Sequence, residues 1–117
     1  MKNLSQLRER YLRDPLPIRL GGIAANLARI PSFSHQEAHR EVVEHLIDES
    51  KWLIEWTAGD ADADQAATLI ELQLLLAQWQ RQWPQIWGTP GQRQYLNEQS
   101  AAWSERVLAM SGLLGCT

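Results

Sequence analysis

The chain has a single cysteine, Cys116, and no apolar run longer than the four residues of Leu74–Ala77. One cysteine excludes an internal disulfide framework and suits a reducing compartment. A four-residue run is far short of the roughly 20 apolar residues needed to cross a bilayer. The opening MKNLSQLRERYLRD lacks the continuous apolar stretch of a secretion signal. Together these absences give the expectation of a cytoplasmic protein with no membrane span. Alternating β-branched runs are absent as well, so strands are not expected. No Glu-x-x-His occurs, which removes the usual carboxylate-bridged di-metal bundle, and no glycine-rich loop follows a strand to cradle a phosphate. The net charge is −3, which argues against a nucleic-acid partner.

What is present is a chain of 117 residues with 44% apolar content, enough for one core and one domain. Charge is unevenly spread. Residues 1–40 carry seven Lys/Arg against three Asp/Glu, whereas residues 41–80 carry one Lys against nine Asp/Glu. The basic head and the acidic middle attract each other, within one molecule or between two.

Periodicity and punctuation give an all-α fold: an antiparallel four-helix bundle preceded by a short helical or extended arm. The arm is the basic stretch 1–15, with Leu4, Leu7 and Tyr11 on one face, and the bundle is 16–117. The expected helices are 16–30, 35–57, 63–83 and 90–111. Leu16, Ile23 and Ile30 repeat every seven residues in the first, where Gly21, Gly22, Ala24, Ala25 and Ala28 leave room for a close neighbour. Pro31 is expected to end it. Ser34-His-Gln-Glu37 and Asp62-Ala-Asp-Gln65 read as capping boxes for the second and third helices. Val42, Val43, Leu46, Ile47, Leu53 and Ile54 form the core face of the second. Pro84 stops or kinks the third, Thr89-Pro90 opens the fourth and Gly112 closes it. Leu96, Trp103, Val107, Met110 and Leu114 line its inner face. The short links make sequential helices antiparallel.

Few residues point to chemistry. His35 and His39 stand four apart, a spacing that lets two imidazoles share a metal, but Gln36 occupies the place of a general-base Glu. The expectation is no metal and no cofactor. Cys116 and the helical serines Ser100, Ser104 and Ser111 have no activating partner, so no catalytic residue is assigned and the chain is not expected to be an enzyme. The carboxylates Glu41, Glu44, Asp48, Glu49 and Glu55 read as a solvated face.

Two departures from helix phase stand out. Of six tryptophans, Trp79, Trp83, Trp87 and Trp103 follow core stripes. Trp52 points almost opposite Val43, Ile47 and Ile54, among acids, with Trp56 on the flank. The arginines of the arm (Arg8, Arg10 and Arg13) are candidates to dock there. The third helix carries a second apolar stripe, Ala63, Ala67, Ile70, Leu74 and Ala77, roughly opposite its core face. Cover by the arm or by the 84–89 turn would account for that stripe without a partner. The interface candidates are therefore Ile70, Leu74, Ala77, Trp52 and Trp56.

The stretches RIPSFS (Arg29–Ser34), ESKWLIEWT (Glu49–Thr57) and WSERVLAMSG (Trp103–Gly112) resemble segments of small uncharacterised all-helical proteins of cyanobacteria. That resemblance implies a bacterial, cytoplasmic setting and no particular activity. The expected function is a non-enzymatic protein–protein interaction or adaptor domain that self-associates as a homodimer. The alternative is a small-ligand or metal-binding bundle using His35, His39 and the Trp79–Trp83–Trp87 ladder.

Overall fold

Prolines open three of the helices. Pro15 and Pro17 stand at the start of one, Pro84 and Pro90 at the start of two others, where a missing N–H costs no internal bond. A computed structural model of the chain describes residues 4–113, and among these all regular structure is helical. In chain order come α1 (Leu4–Leu12), α2 (Leu16–Phe33), a 3-10 turn (Glu37–His39), α3 (Arg40–Ala58), α4 (Ala63–Arg81), α5 (Trp83–Gly88) and α6 (Pro90–Ser111). Leu114 and Cys116 lie outside the described residues.

The boundaries differ from expectation around residue 31. Pro31 lies inside α2, which runs on to Phe33. Its fixed φ suits a helix, and so near the end its missing N–H forfeits only the bond to the Leu27 carbonyl. Ser34 then closes α2 instead of capping the next helix. Its N–H and its hydroxyl both donate back to the Ile30 carbonyl, at 3.0 and 2.5 Å. The Ser34–Glu37 capping box does not form, and α3 begins only at Arg40. Val42, placed in the core by periodicity, is exposed: it stands about 100° from Val43, at the rim of the buried arc of α3.

Elsewhere the local signals act as read. Asp62 accepts from the Gln65 N–H at 2.8 Å while the Gln65 side chain accepts from the Asp62 N–H at 3.1 Å, a complete capping box. Gly112 ends α6 with φ 86°, a left-handed conformation that disfavours residues with a Cβ. α4 stops at Arg81, before Pro84, and the expected turn over residues 84–89 is largely the short helix α5.

Helix α2 packs on α3 and α6, and α4 packs on α3 and reaches α6 through side chains. Pairs across these seams run antiparallel. Arg19 and Asn26 of α2 meet Asp60 and Glu49 in turn, and Gln65 and Glu71 of α4 meet Met110 and Arg106 of α6. The α2–α6 seam is the most extensive. Small residues explain it: the Ser104 hydroxyl reaches the Ala24 carbonyl at 2.7 Å, and a Cβ on Gly21 would come within 2.6 Å of Leu113. Ala25 and Ala28 face outward and take no part. The α4 and α6 backbones approach each other less closely, and side chains bridge them.

One core joins all four long helices and α5. Leu20, Ile23, Leu27 and Ile30 of α2 meet Val43, Ile47 and Ile54 of α3, Leu69, Leu72 and Leu76 of α4, and Leu96 and Val107 of α6. Each such side chain contributes about 1.5–3 kcal/mol by leaving water. Trp79, Trp83, Trp87 and Trp103 are buried in the same cluster, as their phase requires.

Candidate protein-interaction face

Helix α4 has two apolar sides because leucine recurs beyond the positions its core face needs. At 100° per residue, Leu69, Leu72, Leu76 and Trp79 gather on one side, and all four are buried. Ala63, Ala67, Ile70, Leu74 and Ala77 gather on the other. There Ile70 is 55% and Leu74 68% exposed, while Ala77 is half-buried. Neither expected cover reaches the stripe: α1 packs on α3, and α5 packs on α6 and the end of α4. Two large aliphatic side chains one turn apart therefore meet water beside two exposed alanines.

Trp52 lies next to this stripe. It lines a groove of about 160 Å³ with Asp48, Lys51 and Glu55 of α3 and Gln73 of α4. The Gln73 amide donates to the Lys51 carbonyl at 3.3 Å, and Lys51 Nζ donates to the Gln80 side chain at 2.6 Å. Gln73 is three residues from Ile70, one from Leu74 and four from Ala77, so it sits on the edge of the α4 stripe. The two regions singled out separately in the sequence thus adjoin through Gln73, a residue that sequence reasoning passed over. Its signal was faint: one polar residue between Leu72 and Leu74, at the border between the two apolar sides.

The aromatic edge of the groove is capped by the arm. Trp52 packs on Trp56 with ring centroids 5.9 Å apart, and Trp56 packs on Tyr11 of α1 at 6.0 Å. Trp56 is half-buried by this contact, whereas Trp52 remains 36% exposed. Arg8, Arg10 and Arg13 do not dock on Trp52; all three are exposed, and among the described residues the cations found over indole rings are Arg93 on Trp87 and Arg106 on Trp103.

Tyr11 fixes α1 through its hydroxyl. The phenol donates to the Arg19 carbonyl at 2.8 Å, which leaves its oxygen to accept from the Thr57 hydroxyl, also at 2.8 Å. Burial pushes the phenol up to about 12, against the lowering pull of the Thr57 bond. Beside it, the nearly buried Arg19 donates to the Asp14 carbonyl and pairs with Asp60 at 3.0 Å. The sequence placed Tyr11 on the apolar face of the arm but gave no sign of this polar anchor.

The histidines do not converge. His35 lies in the bend after α2, and His39 ends the 3-10 turn, so they are not one α-helical turn apart. The His39 Nδ1–H donates to the Phe33 carbonyl at 3.2 Å, with its ring edge-on to Phe33. Among the described residues no three His, Cys, Asp or Glu side chains gather at one point. No helix among them is long and apolar enough to cross a membrane. The chain matches no protein-family model, no curated protein and no solved structure.

Proposed function

We propose that the chain is a non-enzymatic protein–protein interaction domain of the cytoplasm. In this reading the four long helices act as an antiparallel four-helix bundle, with α1 as a docked arm, and the domain self-associates as a homodimer. The contact is the outer side of α4, continued by Trp52 across the groove. The observation that carries the reading is the exposure of Ile70 and Leu74 together on a helix whose opposite side is fully used by the core. Scattered apolar residues are ordinary on a surface, but an ordered stripe rimmed by polar groups marks a contact surface. Burying Ile70 and Leu74 from two copies would contribute several kcal/mol at about 1.5–3 kcal/mol for each side chain.

The test is the oligomeric state. Sedimentation or light scattering across a hundredfold range of concentration is expected to show a monomer–dimer equilibrium. Ile70→Glu with Leu74→Glu is expected to abolish it while leaving helicity unchanged, because neither side chain contributes to the core, and to make the melting temperature independent of protein concentration, equal to that of the unaltered chain at high dilution. A monomer at every concentration for the unaltered chain would overturn the proposal.

A further inference from the structure

The order of residues along the outer side of α4 says how a second copy lies on it. Ala67, Ile70, Leu74 and Ala77 read small, large, large, small, with spacings of three, four and three residues. The pattern is the same in both directions, and its midpoint is the level of Leu72. Ala63 and Arg81 fall on the same line, one beyond each end. Arg81 is exposed at the C-terminal end of α4, and Asp62 and Asp64 are exposed at its N-terminal end, about 25 Å away at 1.5 Å per residue. The ion pairs found among the described residues, Arg19–Asp60 and Arg106–Glu71, engage neither Arg81 nor Asp64.

Resting on the self-association proposed above, we infer that the two copies pack α4 against α4 antiparallel, about a two-fold axis at the level of Leu72. In that register Ile70 faces Leu74 of the partner subunit, and Ala67 faces Ala77 of the partner subunit. The large pair fills the centre, and the alanines on either side let the backbones close toward the 8–10 Å of packed helices. Arg81 of the partner subunit comes level with Ala63, between Asp62 and Asp64, and the same pairing repeats at the other end. A parallel arrangement does the reverse. It sets Asp64 against Asp64 of the partner subunit and Arg81 against Arg81 of the partner subunit, and it aligns the two helix dipoles unfavourably.

Trp52 has a place in this arrangement. A two-fold axis perpendicular to both helices keeps the two α3 flanks on the same side of the pair. Trp52 adjoins Gln73, one residue from the axis level, so it and Trp52 of the partner subunit close over the same edge of the contact.

Disulfide trapping tests the register separately from the association. In a Cys116→Ser background, Ala67→Cys and Ala77→Cys chains of different tagged size are oxidised alone and as an equal mixture, with scattering run on each sample. The expected result is little cross-linking for either chain alone and a mixed-size product approaching half of the chains in the mixture. Its yield should fall at least tenfold when Ile70→Glu and Leu74→Glu are added to both. Cross-linking of Ala67→Cys to itself would overturn the antiparallel register, as would absence of the mixed product in a sample that still scatters as a dimer. A sample that scatters as a monomer would overturn the association itself. As a second readout, Trp52 emission is expected to shift to the blue on dilution-reversible association, and a Trp52→Phe chain should lose that shift.

Discussion

Replacing Tyr11 by Phe removes one oxygen and nothing else, and the structure says what that oxygen does. It donates to the Arg19 carbonyl and accepts from Thr57, whose side chain is fully buried. Leaving a buried hydroxyl without its partner costs about 1–3 kcal/mol. For a domain of 117 residues, about 2.1 cal/mol/K of unfolding entropy per residue converts each kcal/mol to about 4 °C. The expected loss is therefore about 2 kcal/mol, or about 8 °C in melting temperature at pH 8. The alkaline limb is the sharper test. The folded phenol titrates at about 12 and the unfolded one near 10.0. Between those values the unfolded chain gives up a proton that the folded chain keeps, so stability falls as pH rises. The contribution is whole below pH 10 and spent above pH 12, and it amounts to at most about 2–3 kcal/mol. Tyr11→Phe lacks this titration. Circular-dichroism melts of both chains from pH 8 to pH 12 should converge, with the variant the less stable at pH 8 and nearly equal to its parent at pH 12. Two curves that decline in parallel would refute the assignment of a buried, hydrogen-bonded phenol to Tyr11.

Two further substitutions test local readings. Gly22→Ala should raise the melting temperature by about 2–4 °C, since alanine is favoured by about 1 kcal/mol in a helix interior and its Cβ would meet Tyr11 at an ordinary 3.7 Å. Differential scanning calorimetry reads this directly, and a lower melting temperature would show that the site is tighter than it looks. Asp62→Ala removes one half of a complete capping box and should cost about 1 kcal/mol in urea denaturation, with an unchanged m-value.

Signals carried by one residue and its immediate neighbours were legible in the sequence. The capping box at Asp62, the αL glycine at 112, the proline at the start of α6 and the buried faces of α4 and α6 each depend on local backbone chemistry or on a sustained period. The region from Pro31 to Arg40 was not legible. Ser34 can serve either as an N-cap or as a closing hydroxyl, and the choice turned on whether α2 could tolerate Pro31 in its last turn. The same error set His35 and His39 on one helix, whereas Val42 was misplaced by a separate one, a core arc drawn too wide. The outer stripe of α4 was legible as a pattern, but its bareness was not, since only the packing of α1 on α3 and of α5 on α6 shows that neither covers it. The polar anchor of Tyr11 was out of reach for a related reason: Thr57 lies 46 residues away, and no local rule links the two.

The extensive seam between α2 and α6 has a consequence for synthesis. A ribosome adds about 80 residues between Phe33 and Ser111, which takes about 4–16 s at typical rates. Through that interval Leu20, Ile23, Leu27 and Ile30 have α3 beside them but not α6, the helix that makes the more extensive seam with α2. The nascent chain is therefore a sticky hairpin until its final helix emerges, and chaperones have seconds in which to find it. A premature stop after α4 would make that interval permanent, and such a fragment should be found in inclusion bodies rather than in solution.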